Sequence, residues 1–356
     1  MYQRSSIRES LLSKDLQVSE CVTQSGKALT LGEGLWGYSH KPRPPSPFQL
    51  GWGPIRCLVM KRIRKVVIPA AGLGTRGLPF TKEIPKELLP IIDTPALHFI
   101  VEEAVAAGIE QVIFVTSKGK SALEDYFDPS PALEAFLRAR GKNDLADKMH
   151  KIGKMVDVLS VRQKEPLGLG HAILCAKNII GDEPFAVCLG DEIFPPWGGK
   201  QSTGLKRLVE AAQQGGDSVI GIMEVPPTEV HNYGIIDTGG KAVAAGKPVS
   251  VLRTVEKTKA ENAPSPFAII GRYVFQPEIL TFLEKVKPGV GGEIQLTDAM
   301  DGLAAAGKLR ALISEDTRYD VGNHLYYVLA QVDAALQRPE LAGRLRPLLK
   351  QLMETR

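Results

Sequence analysis

Val66-Val-Ile-Pro-Ala-Ala-Gly-Leu-Gly-Thr-Arg-Gly77 runs directly into Leu78-Pro-Phe-Thr-Lys-Glu-Ile-Pro-Lys-Glu-Leu-Leu-Pro90. The short apolar run at its start, closed by glycine, reads as a fully buried strand over residues 66–71. The residues just past the strand decide its purpose. Gly72-Leu-Gly-Thr-Arg-Gly77 fits the pattern G-x-G-x-x-G, and Asp93 stands about twenty residues on, the spacing of a dinucleotide-binding turn. That turn needs a helix opening inside the motif, so that a pyrophosphate meets the helix N-terminus. Pro79, Pro85 and Pro90 forbid a regular helix through this span, which rejects the dinucleotide reading and an NAD-linked oxidoreductase with it. A glycine-rich, proline-stiffened loop remains, carrying Arg76, Lys82 and Lys86. Glycines let backbone approach a ligand closely, and their amides cradle anions. Three fixed cations suit a triphosphate. The bland alternative is a solvated loop, but loops of this kind at a strand's carboxyl end seldom serve packing alone.

Outward from this loop, strand-like and helix-like segments alternate. Strands are predicted at 66–71, 111–116, 156–162, 185–189, 218–225 and 268–275, and helices at 96–107, 133–154, 171–177, 205–214, 277–285, 293–306 and 323–336. Gly108 supplies a C-terminal stop for the first helix. Continuous apolar strands joined by helical crossovers imply an α/β fold: a Rossmann-like mixed, mainly parallel sheet with helices on both faces. Ligands of such sheets sit outside the carboxyl ends of the strands. Residues 1–59 carry no sustained period, and Lys41-Pro-Arg-Pro-Pro-Ser-Pro47 disfavours helix and central strand alike. They are expected to be a disordered extension or the product of an upstream start, with Met60 as the true one. Residues 60–340 then form the catalytic domain and 341–356 a C-terminal helix.

Of 356 residues, 44% are hydrophobic and 24% charged, as in ordinary globular proteins. The net charge is +4, and residues 1–59 carry +3 of it, with seven Lys or Arg against four Asp or Glu. The rest is about neutral, which argues against a nucleic-acid-coating surface. Cys21, Cys57, Cys175 and Cys188 form no C-x-x-C pair, so neither a disulfide framework nor a zinc site is expected, and a reducing cytoplasm fits. No apolar run is long enough for a membrane span, and no secretory core opens the chain.

Leu189-Gly-Asp191 comes after the apolar run Phe185–Cys188. A carboxylate at the end of a buried strand can hold a hard cation, and magnesium favours one or two carboxylates with phosphates and waters. A capping role is the competing reading for Asp191. Glu256-Lys257 ends another strand-like run; as a bare pair it reads as a surface ion pair worth little.

Taken together, Gly72-x-Gly-Thr-Arg-x-Leu-Pro-x-Thr-Lys-x-Ile-Pro-Lys-Glu-x-Leu-Pro90 closely resembles the signature of bacterial UTP–glucose-1-phosphate uridylyltransferases. Gln163, Gly168-Leu-Gly-His-Ala172, Val255-Glu-Lys257, Ile270-Gly-Arg-Tyr273, Gly292-Glu-Ile-Gln-Leu-Thr-Asp298 and Asp320-Val-Gly-Asn323 extend the resemblance, as does an insert around 127–152. It spans residues 62–340. It implies uridylyl transfer from UTP to α-D-glucose 1-phosphate, with Mg2+ as cofactor, a homodimer or homotetramer, and neither nucleic acid nor membrane as partner. Catalysis would fall to Arg76, Lys86, Asp191 and Lys257, and the metal to Asp191 and Asp320. The nucleotide would lie against Ala71, Gly72, Gly74, Gln163, Gly168 and Gly190, and the sugar against Gly234, Glu256, Gly271 and Glu293. The sequence departs from the family pattern at Glu192 and Thr258. The rival readings are a thymidylyl or other sugar-1-phosphate nucleotidyltransferase and a catalytically silent regulatory paralogue. The 127–152 insert and the Thr81–Glu87 run disfavour the first; joint retention of Arg76, Lys86, Asp191 and Lys257 disfavours the second. Glu293 has a competing role as a first-turn carboxylate favouring a helix dipole. His171 is expected to open a helix, with no catalytic part.

Overall fold

Val66 and Ile68 point to one face of the central sheet and Val67 to the other, and all three are fully buried. That is why the opening strand shows no alternation. Both faces are covered, and each holds its own apolar core. The computed structural model describes residues 61–197 and 202–355; the expectations for residues 1–59 and for Met60 lie outside them.

Fourteen strands are described: β1 (Lys65–Pro69), β2 (Pro90–Ile91), β3 (Thr94–Pro95), β4 (Gln111–Thr116), β5 (Asp157–Arg162), β6 (Phe185–Cys188), β7 (Glu192–Ile193), β8 (Ser218–Glu224), β9 (Gly234–Asp237), β10 (Val249–Ser250), β11 (Arg253–Glu256), β12 (Phe267–Phe275), β13 (Leu309–Ile313) and β14 (Tyr319–Asp320). The main sheet has the order β10-β13-β8-β12-β6-β1-β4-β5, and β9 joins β12 to β11. Strands β6, β1, β4 and β5 are mutually parallel, as are β13 and β8, while β12 runs antiparallel between β6 and β8. The sheet is therefore mixed and mainly parallel around β1. Parallel pairing brings the residues after β1, β4, β5 and β6 to one end, where the loops meet.

On the Val66 face lie helices Ala96–Ala106 and Gly204–Gly215, contributing Leu97, Ile100, Leu205 and Leu208. On the Val67 face lie helices Gly168–Cys175, Glu278–Leu283 and Leu296–Ala305, contributing Ile173, Leu283 and Leu303. Burying each such side chain is worth about 1.5–3 kcal/mol. These cores hold the strand ends in place.

Gly108 ends its helix as expected: φ is 88°, with Gly108 N donating to Val105 O and Ile109 N to Ala104 O. This is the left-handed termination that glycine adopts without penalty. The helix expected over 133–154 is instead two, Pro131–Ala139 and Asn143–Ile152. Gly141, at φ 72°, breaks it through the same pair of bonds, to Arg138 O and from Lys142 N to Leu137 O. The helix expected over 293–306 starts only at Leu296; Glu293 is extended, at φ −88° and ψ 141°. Strand β13 is absent from the sequence expectation, because Leu309, Arg310, Ala311 and Leu312 are all helix formers and only Ile313 favours a strand; pairing with β8 overrides propensity. The C-terminal helix runs Pro339–Glu354.

Candidate active site

Prolines 79, 85 and 90 leave the loop after β1 with only three short 3-10 turns, at Thr75–Gly77, Phe80–Lys82 and Lys86–Leu88. Gly74 sits in the left-handed region (φ 65°), and its carbonyl accepts from Thr81 Oγ1 at 2.7 Å. The loop folds back on itself and presents Arg76 and Lys86 to the end of β6. Lys86 Nζ lies 2.7 Å from Asp191 Oδ2, and Arg76 Nη2 lies 3.6 Å from the same oxygen. Burial alone would push the Lys86 ammonium down, but Asp191 and Glu87 outweigh it and hold the pKa above its ordinary value. Asp191 mirrors this: burial pushes its carboxyl up, Lys86 and Arg76 pull harder, and it ends below the usual range.

Asp320 reaches the same spot through the antiparallel pairing of β14 with β7, which sets Asp320 opposite Glu192. Its Oδ2 is 3.8 Å from Arg76 Nη1. A methyl group placed on Gly322 would stand 3.0 Å from Arg76 Nη2, 3.1 Å from Asp320 Oδ1 and 3.3 Å from Asp191 Oδ2, so the three groups ring one point. Burial, joined by the charges of Asp191 and Glu192, raises the Asp320 pKa. Two carboxylates pressed together in this way are relieved by a cation. Among the described residues no group of three or more His, Cys, Asp or Glu is placed to hold a metal ion. Two hard oxygen donors, with phosphates and water for the rest, are what magnesium accepts. The donor set fits.

A lock beneath the loop leaves almost no trace in the sequence. Lys120 Nζ donates to Ala70 O (2.5 Å) and Gly72 O (2.8 Å) and pairs with the fully buried Glu87 at 3.1 Å. One ammonium thus ties both ends of the cationic loop. Gly190 belongs to this packing: a methyl there would lie 3.0 Å from Glu87 Cγ and 3.3 Å from Pro69 O. The one faint signal is Ser117-Lys-Gly-Lys120, a basic run just past a buried strand.

A cavity of about 540 Å³ is lined by Arg76, Lys86, Gly322 and Tyr327; two others hold further expected contacts. The smaller, about 360 Å³, is lined by Ala71, Leu73, Ser117, Lys118 and Gln163, at the ends of β1, β4 and β5. Gln163 is 8% exposed, and its Nε2 donates to Gly168 O at 3.0 Å. Gly168 has φ 92°, and a methyl on it would lie 2.8 Å from Glu293 Cβ. The larger cavity, about 880 Å³, is lined by Arg76, Asp191, Asp320, Gly234, Glu256 and Lys257 among others. Glu256 Oε2 accepts from Thr297 Oγ1 at 2.6 Å, and a methyl on Gly234 would lie 3.3 Å from that Oε2. Lys257 has a left-handed backbone (φ 43°) and a largely exposed side chain.

Two expected sugar contacts do not line this cavity. Gly271 gives its N–H to Glu192 Oε2 (3.1 Å) and packs against Leu189, so its amide is engaged within the protein. Glu293 accepts from Gln295 Nε2 at 3.0 Å and lies against Gly168; being outside the helix, it makes no first-turn dipole contact either. Arg318 and Thr297, not singled out by the sequence, do line the cavity. Arg318 Nε pairs with Glu192 Oε2 at 2.5 Å, and its guanidinium lies over the Tyr233 ring. The unusual glutamate at 192 is therefore a buried partner for Arg318 and for the Gly271 amide.

Known proteins share this architecture. A model of the nucleotidyl transferase family matches residues 65–336. A UTP–glucose-1-phosphate uridylyltransferase of Bacillus subtilis (strain 168) is 48% identical over 294 residues, covering 83% of this chain and 98% of the relative. The UTP-bound UGPase of Acinetobacter baumannii superposes with a TM-score of 0.75 at 38% identity, covering 82% of this chain and 99% of the other. A UDP-glucose pyrophosphorylase complexed with UDP-glucose superposes with a TM-score of 0.70 at 39% identity, covering 78% of this chain and 100% of the other. The chain belongs to the nucleotidyl transferase family, within its UTP–glucose-1-phosphate uridylyltransferases.

Proposed function

We propose that this chain transfers the uridylyl group of UTP to α-D-glucose 1-phosphate, giving UDP-glucose and pyrophosphate. The observation that carries the reading is the meeting of Arg76, Lys86, Asp191 and Asp320 beside the cavity that holds Glu256 and Lys257, with Gln163 lining a second cavity at the ends of β1, β4 and β5. A phosphate oxygen of the sugar 1-phosphate attacks the α-phosphorus of UTP in line; that O–P bond forms as the bond to the β-phosphate oxygen breaks. The nucleophile is already an anion, so no residue removes a proton. The chain's work is positioning and charge neutralisation. Arg76 and Lys86 hold the triphosphate and then the leaving pyrophosphate, while Lys257 aligns the attacking phosphate. Glu256, steadied by Thr297, accepts hydrogen bonds from sugar hydroxyls, and Gly234 leaves room for the ring. Ala71, Gly72, Gly74, Gln163 and Gly168 hold the base side, with Gly190 keeping Glu87 in place beneath. A magnesium ion held by Asp191 and Asp320 supplies, when bound, further neutralisation of the phosphate charge.

Purified protein offered each of four nucleoside triphosphates with glucose 1-phosphate should release pyrophosphate preferentially with UTP and lose the signal on chelation. Equal use of all four, or activity indifferent to chelator, would sink the reading. Residues 60–340 serve as the catalytic domain of such an enzyme. Among the described residues Cys175 and Cys188 are free, and no helix is long and apolar enough to cross a membrane; a cytoplasmic location is part of this proposal. Exposed Leu325, Val328, Leu329, Leu348 and Leu352 on the last two helices support a homodimer or homotetramer. Sedimentation of the purified chain as a monomer at micromolar concentration would exclude that assembly.

A further inference from the structure

Gln163 can turn either of two faces toward a ligand, since a side-chain amide has an N–H donor and a carbonyl acceptor. Here the Nε2 face is claimed twice from inside the protein. Gly168 O lies 3.0 Å away and, being a carbonyl, can only accept, so the atom facing it is the NH2. His171 Nδ1 also lies 3.0 Å from Nε2. With one amide proton directed at Gly168, the other goes to His171, which requires Nδ1 unprotonated and the ring hydrogen on Nε2. Among the described residues, Gln163 Oε1 accepts no hydrogen bond. It is also not among the buried side-chain oxygens lacking a partner, so it is reached from outside, where Gln163 lines the smaller cavity.

We infer that His171 is a positioning residue for base selection: as a neutral acceptor it helps lock the Gln163 amide with Oε1 toward the cavity, so that the site takes a base edge offering an imide N–H. Uracil carries such a donor at N3; cytosine has an acceptor there. His171 stands three residues after Gly168 on helix Gly168–Cys175, and this helix is tied in turn to Ile294, whose N–H donates to Leu167 O (2.8 Å) and whose carbonyl accepts from Gly170 N (2.9 Å). The Gln163 lock is thus held by a rigid element and not by solvent. Cys175 Sγ, 4.0 Å from the same Nδ1, is too distant to displace the amide. Without His171, one of two acceptors is lost and the amide turns more readily, presenting its NH2 to the base instead.

The inference rests on the uridylyl-transfer reading, and its test separates the two. Wild type, His171→Leu and His171→Asn are assayed with UTP and with CTP at saturating glucose 1-phosphate. Wild type should prefer UTP. His171→Leu should raise KM for UTP about tenfold, the worth of one hydrogen bond, narrow the UTP-over-CTP preference in kcat/KM by a similar factor, and leave kcat and the KM for glucose 1-phosphate nearly unchanged. His171→Asn, whose side-chain oxygen can replace the ring acceptor, should recover most of the preference. Unchanged UTP-over-CTP preference in His171→Leu overturns the inference. So does a loss shared equally by His171→Asn, or one seen in kcat with both sugar and nucleotide KM moved, which marks a merely structural role. A wild type that does not use UTP at all defeats the functional reading itself.

Discussion

Lys86 and Asp191 keep each other charged in a place where burial opposes both charges. The ammonium is held above its ordinary pKa and the carboxylate below it, each by the other's presence. A lysine used in this way is a permanent cation facing the route of the phosphates. Lys86→Ala should therefore lower turnover by about 10²-fold or more, the scale of losing one preorganised electrostatic contact, in a protein that still folds but melts below wild type, because Asp191 keeps only Arg76 as a partner. Pyrophosphate release reads the first and circular dichroism the second. A folded Lys86→Ala protein that turned over normally would remove Lys86 from the site.

At the level of elements, the loops at the carboxyl end of the sheet are braced from below by a buried ion pair. Arg272, in β12, pairs with Glu103 of helix Ala96–Ala106 at 2.8 Å, donates to Glu192 O in β7 at 2.8 Å, and stacks over Phe194. Both charged side chains are about 1% exposed. A single pair thus joins helix, main sheet and the ribbon that delivers Asp320. Breaking it leaves a buried guanidinium without its counter-ion, so Glu103→Ala should destabilise the fold by about 3–5 kcal/mol, measured by urea unfolding. A loss below about 1 kcal/mol would show that the pair does not brace the three elements. Lys120 plays the equivalent part for the cationic loop, at closer range.

Across the whole molecule, the last two helices close on the ribbon of β2 and β3. Tyr327 Oη and Gln331 Nε2 both donate to Pro90 O, and Arg338, where the two helices meet, grips Asp93 with both terminal nitrogens. This settles the role of the residue that mimics a ribose-binding acid in the sequence: Asp93 serves the junction. Arg338 hydrogen bonding lowers the Asp93 pKa from 3.8 to about 2. A depressed carboxylate stabilises the fold fully above its ordinary pKa, and that stability is lost as pH falls from about 4 through about 2. The pair is half exposed, so its worth is no more than about 1 kcal/mol. Asp93→Asn should melt slightly below wild type at pH 7, with the gap closing as pH is lowered toward about 2. A gap that persisted or widened in acid would contradict this assignment.

What the sequence determined by itself was local in origin. Periodicity marked the buried strands 66–71 and 111–116, prolines barred a helix through 78–90, and glycine at 108 ended one; each is a matter of backbone sterics within a few residues. Gly141 is an equally local stop, yet periodicity alone runs the 133–154 helix straight through it. Residue chemistry also singled out Arg76, Lys86 and Asp191. Only the tertiary structure could decide that Asp320, 129 positions beyond Asp191, returns beside it through β14–β7 pairing, that Lys120 locks the loop, and that the Gly271 amide belongs to Glu192. Periodicity says which face a side chain takes; which distant partner waits there depends on strand order and crossovers that no local pattern encodes.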